Sequence, residues 1–90
     1  MNSILSERDT KALLKILVEK LDVEESALAP EARFGEDLGA DSLTLIEITM
    51  AVEEHFNLSI PDAESEKVRT VQDLFETLAD LLAKPQQGLH

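Results

Sequence analysis

Apolar residues in this chain recur at three- and four-residue intervals in three separate runs and nowhere alternate with polar ones, which commits the backbone to helices. The first run places Leu14, Leu17, Val18 and Leu21 on one face, with Ser6 as N-cap and Lys11, Lys15 and Lys20 on the other faces, and predicts a helix over 6–21. The second predicts a helix over 42–56, started by Asp41 or Ser42 and ended before Asn57 and Pro61. The third opens on Thr70-Val-Gln-Asp73, a capping box with Asp in place of Glu, and carries Val71, Leu74, Phe75, Leu78, Leu81 and Leu82 on one face to about Ala83. Pro61 suits the first turn of a short additional helix reaching about Glu66. The expected fold class is all-α, a small four-helix bundle of three principal helices and one short one.

Between the first two helices, Asp22 to Asp41 breaks the periodicity with Pro30, Gly35 and Gly39, and twenty residues is long for a loop in a compact domain. Val23, Leu28, Phe34 and Leu38 are spaced as anchors that would pin this loop to the helices, with a short turn around Glu24 to Leu28. Ninety residues suit one domain, read here as 1–83, while 84–90 has neither periodicity nor apolar mass and is expected to be a flexible tail. With three Phe, no Tyr and no Trp, the core must be aliphatic and easy to deform.

Eight Lys and Arg against nineteen Asp and Glu leave a net charge of −11, which repels phosphate backbones and anionic headgroups. No nucleic-acid or membrane partner is expected; a basic protein surface is the natural complement, and the chain is expected to be a monomer. The absence of Cys excludes a disulfide framework, a thiolate metal site and a protein-borne sulfur nucleophile, so any thiol chemistry must be imported. Neither a signal peptide nor an apolar span of about 18 residues is present, which points to the cytoplasm.

The second helix has two apolar faces. At about 100° per residue from Leu43, the positions Leu45, Ile48, Val52 and Phe56 centre near about 185° and form the core face. Leu43, Ile46 and Met50 cluster near about 330°, among Glu47, Glu53 and Glu54. Either the long loop covers this second face or it is a partner-docking surface, with apolar knobs for affinity and carboxylates for steering. The charge pattern favours docking: from Phe34 to Glu66 there are nine acids and no Lys or Arg.

Conventional catalysis finds no residues to run it. Ser42 and His55 lie thirteen positions apart on one helix, roughly 20 Å, too far for a nucleophile and base. Gly39-Ala-Asp-Ser42-Leu lacks the second Gly of a nucleophile elbow. A calcium loop started at Asp37 would put Ser42 where Gly is required and Ile48 where Glu is required, so no metal site is expected. The remaining chemical candidate is the Ser42 hydroxyl, which spacing alone would read as a helix cap.

The longer string Phe34-Gly-Glu-Asp-Leu-Gly-Ala-Asp-Ser42-Leu-Thr-Leu-Ile-Glu-Ile closely resembles the acyl carrier protein family, whose signature is Asp-Ser-Leu at the start of the second helix. The resemblance continues through Met50-Ala-Val-Glu-Glu-His-Phe, Ile60-Pro-Asp and Thr70-Val-Gln, from the first helix to about Leu82. It implies a non-enzymatic carrier bearing a 4′-phosphopantetheine arm on Ser42 as a phosphodiester, flanked by Asp41 and Leu43, with acyl chains held as thioesters on the arm's thiol. It further implies Leu43, Ile46, Glu47, Met50, Glu53 and Glu54 as the docking surface for a phosphopantetheinyl transferase and for acyl-transferring, ketosynthase and reductase-type enzymes. The pathway implied is type II fatty acid biosynthesis. Thr44, Leu45 and Gly35 depart from the residues usual in fatty-acid members, which keeps a dedicated polyketide or other specialised pathway as the alternative. A helical interaction domain in which Ser42 only caps its helix is the reading from another class.

Overall fold

The computed structural model describes residues 5–83; the expected tail at 84–90 lies outside the described residues. Four helices follow in order, α1 (Glu7–Leu21), α2 (Ser42–Phe56), α3 (Asp62–Ser65) and α4 (Val71–Ala83), with a 3₁₀ turn at Glu25–Ala27. The all-α bundle with its long first connection is as the sequence predicts. In α1, the Ser6 hydroxyl accepts the Asp9 N–H at 3.0 Å, and the chain leaves through Asp22 in the left-handed region at φ 59°. Asn57 closes α2 the same way at φ 56°; Asp and Asn tolerate that conformation better than other side-chain-bearing residues.

The capping box of α4 forms in both directions. Asp73 N–H donates to the Thr70 hydroxyl at 3.1 Å, and the Asp73 carboxylate accepts the Thr70 N–H at 3.1 Å and the Arg69 N–H at 3.0 Å. These N–H groups, Arg69's foremost, hold the Asp73 carboxyl below its ordinary pKa. α3 is shorter than expected: Pro61 is its extended N-cap residue rather than its first helical one, and the helix closes at Ser65 instead of Glu66. The Pro61 carbonyl accepts the Glu64 and Ser65 N–H groups, which begins the helix one position later.

The long connection is strapped down. Phe34 N–H donates to the Arg69 carbonyl at 3.0 Å, Val71 N–H to Ala32 at 3.0 Å and Gln72 N–H to Pro30 at 2.9 Å. They flank an isolated antiparallel bridge between Arg33 and Thr70, which the helical periodicity does not foreshadow. Leu28, Phe34 and Leu38 are buried as anchors, and Val23 is half-buried against the same core.

Every buried side chain among the described residues is apolar. α1 packs against α2, but the α1 face is turned from the expected one: Leu13 and Leu17 are fully buried while Leu14, Val18 and Leu21 are only partly covered. Adjacent pairs Leu13-Leu14 and Leu17-Val18 allow either of two helical stripes, and only the packing partner selects one. On α4, Leu78 is fully buried, but burial falls off in the last turn, and Leu82, expected on the core face, is 39% exposed. On α2, Ile48 and Val52 are buried and Leu45 and Phe56 partly so, whereas Ile46 is 55% exposed. Truncating Ile48 to Ala should therefore cost about 2 to 4 kcal/mol, against under about 1 kcal/mol for Ile46→Ala, as read by thermal melts of the two variants.

Candidate functional site

The N-terminus of α2 is built so that the helix does not need Ser42 as its cap. Asp41 takes that role, its Oδ1 accepting the Thr44 N–H at 2.9 Å while its carbonyl accepts the Leu45 N–H at 3.0 Å. The Thr44 backbone N–H, and next the Thr44 hydroxyl, hold the Asp41 carboxyl below its ordinary value of 3.8. Ser42, the first helical residue, is exposed, and among the described residues nothing hydrogen-bonds its hydroxyl. The approach to it is fixed from behind. Gly39 takes φ +72°, which favours glycine, and Ala40 N–H then donates to the Phe34 carbonyl at 2.8 Å. Gly35 needs no such freedom, since a Cβ there would meet the Ala40 carbonyl only at ordinary contact, 3.7 Å. A free hydroxyl at the start of a fifteen-residue helix, with the macrodipole favouring negative charge, fits a phosphodiester-linked group.

Down the helix from Ser42 runs an exposed stripe. Leu43 is 62%, Ile46 55% and Met50 61% exposed, so the long loop does not cover them. Glu47 and Glu54 are exposed on the same stripe. Glu53 is placed differently: it is half-buried, and its carboxylate accepts the Ile60 N–H at 2.7 Å, tying the end of α2 to the segment entering α3. The only ion pairs among the described residues join Arg33 to Glu36 and Asp37, at 2.6 and 3.7 Å, which leaves the acids from Asp41 to Glu66 without a cationic partner there. No group of three His, Asp and Glu side chains among the described residues could hold a metal ion.

On the other side of the stripe, a cavity of about 140 Å³ opens between α2, α3 and α4. Its walls include Leu45, Ile48 and Thr49 of α2, Ile60 and Ser65 around α3, and Phe34 from the long loop. Residues three and four beyond Ser42 line it or its rim, so the hydroxyl stands one helical turn above the opening. Neither local spacing nor periodicity marks Ile60, Thr49 or Ser65 as lining this cavity; the one signal in the sequence is that Thr49 shares its side of α2 with Ser42 at a spacing of seven.

A profile described as "Phosphopantetheine attachment site" matches residues 11–83. The chain belongs to the acyl carrier protein family. It is 51% identical over 59 residues to an acyl carrier protein of Helicobacter hepaticus, covering 66% of this chain and 78% of that one. Its fold is that of a solved Mycobacterium tuberculosis chain described provisionally as an acyl carrier protein, with a TM-score of 0.74 at 22% identity over 80% of this chain and 96% of the other. As a member of this family the chain is a carrier rather than an enzyme, and it bears 4′-phosphopantetheine covalently. No helix among the described residues is long and apolar enough to cross a membrane.

The depressed pKa of Asp41 makes its cap a pH-dependent part of the carrier. A carboxyl whose pKa is lowered by folding stabilises the fold above its unfolded value, and that contribution is lost as pH falls through the folded value. Asp41→Ala should thus melt below the unchanged carrier at neutral pH, and the gap should close as pH falls below 3.8, as followed by circular dichroism melts across the acid range.

Proposed function

We propose that the arm is joined to Ser42 Oγ and that the carrier, residues 1–83, presents acyl thioesters to the enzymes of type II fatty acid biosynthesis. The observation that carries the assignment is the division of labour at the head of α2: Asp41 makes the capping hydrogen bond, and the neighbouring exposed hydroxyl is left free. When bound, the arm supplies the thiol that a cysteine-free chain lacks. Ser42 provides the attachment oxygen, the first turn of α2 favours the phosphodiester's negative charge, and Asp41 flanks it as an acidic contact for a basic modifying enzyme. The cavity one turn below, comparable to the ~150 Å³ apolar cavity that admits benzene, supports shelter for a short acyl tail.

Leu43, Ile46 and Met50 with Glu47 and Glu54 form the docking stripe for the transferase and for acyl-transferring, ketosynthase and reductase-type enzymes. Their solvent exposure and lack of cationic partners support this role. Glu53 borders the stripe and divides its carboxylate between that surface and the Ile60 N–H. The carrier works as a monomer in the cytoplasm.

Two measurements test these assignments. Incubation with a phosphopantetheinyl transferase and coenzyme A should raise the intact mass by one arm, and Ser42→Ala should abolish the increase with helical circular dichroism nearly unchanged; modification persisting in that variant would move the site elsewhere. Glu47→Lys should slow modification chiefly through association, several-fold at low salt and progressively less as ionic strength rises, in stopped-flow or initial-rate assays.

A further inference from the structure

The cavity beside α2 is not purely hydrocarbon. Two of its lining side chains, Thr49 and Ser65, carry hydroxyls, and both have already committed their protons: Thr49 Oγ1 donates to the Leu45 carbonyl at 3.0 Å and Ser65 Oγ donates to the Asp62 carbonyl at 3.2 Å. Each hydroxyl oxygen keeps lone pairs. Leu45, Ile48, Ile60 and Phe34 supply the apolar remainder. The pocket therefore offers acceptors within an otherwise apolar lining, and it offers no free donor from these two groups.

Ser42 and Thr49 are seven residues apart, two helical turns and about 10 Å, with a drift of only about 20° around the helix axis, so the attachment hydroxyl and the Thr49 hydroxyl share one side of α2. An occupant that donates a hydrogen bond is matched to this lining. A saturated chain leaves the oxygens unpaired as water is displaced, and a carbonyl-bearing chain brings acceptor to acceptor unless a hydroxyl gives up its helix bond.

Resting on the carrier role proposed above, we infer that the pocket selects short hydroxylated acyl chains over saturated or oxo chains of equal length, with Thr49 and Ser65 as the specificity-determining residues. The about 140 Å³ volume sets the scale at roughly six carbons, by comparison with the ~150 Å³ cavity that holds benzene. An oxygen on the third carbon is the natural placement: a carbon nucleophile alpha to one thioester that attacks a second thioester expels its thiol and leaves a carbonyl there, and a hydride donor together with a proton converts that carbonyl to a hydroxyl.

The test compares thermal melts of the carrier loaded, by transferase from the matching acyl coenzyme A, with hexanoyl, 3-oxohexanoyl or 3-hydroxyhexanoyl arms. The hydroxylated form should melt about 4 to 8 °C above the other two, the shift that one net hydrogen bond makes in a domain of this size. The Thr49→Val/Ser65→Ala double variant should lose that gap, and the Thr49 and Ser65 Cβ resonances of the unchanged carrier should move with the hydroxylated cargo but not with hexanoyl. Should the double variant fail to fold, Thr49→Val and Ser65→Ala are made singly, and at least one of them should narrow the gap. Equal melting of the three loaded forms, or a gap that survives removal of both hydroxyls, overturns the inference while leaving the carrier role intact. Failure of the chain to gain any arm overturns both.

Discussion

The structure depends on a backbone strap between the long first connection and the entrance to α4. Three N–H to carbonyl bonds, Phe34 to Arg69, Val71 to Ala32 and Gln72 to Pro30, tie segments nearly forty residues apart in the chain. They satisfy backbone groups that would otherwise be stranded as Leu28, Ala32, Phe34 and Leu38 go into the core. The strap also sets the candidate site: Ala40 bonds back to Phe34, Gly39 makes the left-handed turn, and Asp41 then meets the first turn of α2 in a cap. Asp73 serves the same junction from the other side, capping α4 and holding the Arg69 and Thr70 N–H groups.

Around that junction the core is held by shape alone. It contains no buried polar side chain among the described residues, and its one buried ring, Phe34, comes from the loop rather than from a helix. Hydrophobic contact without buried side-chain hydrogen bonds stabilises but specifies loosely, so a cavity between α2, α3 and α4 can persist without stranding a polar side-chain atom. The wall on the α3 side is light. It consists of the four-residue α3, flanked by buried Leu58 and Ile60 and tied to α2 by the Glu53 to Ile60 bond.

α2 carries three duties on three sides because its periodicity allows it. Ile48 and Val52 face the core, Ser42 and Thr49 look along the cavity side, and Leu43, Ile46 and Met50 face solvent. The acids on the outer side find no cations among the described residues; the two ion pairs present are spent at Arg33. Such a surface concentrates negative charge, at some cost in self-repulsion within the compact state.

Helix positions, the Ser6 and Thr70-Asp73 caps, the extent of α2 and its two apolar faces were all legible in the sequence, because each follows from local spacing and from side chains bonding their own neighbours within four residues. The Asp-Ser-Leu resemblance marked Ser42 as the candidate attachment residue. What spacing left open was decided by tertiary structure. Asp41 rather than Ser42 caps α2; Leu13 rather than Leu14 lies deepest in α1; Leu82 stays partly exposed although it shares the face of Leu78. The bridge from Arg33 to Thr70, the bond from Ile60 to Glu53 and the meeting of Thr49 with Ser65 across a cavity join residues that no local period relates. A helical stripe determines which residues can be buried together, but depth, exposure and cavity lining depend on what packs against it, and that is settled only when the chain has closed on itself.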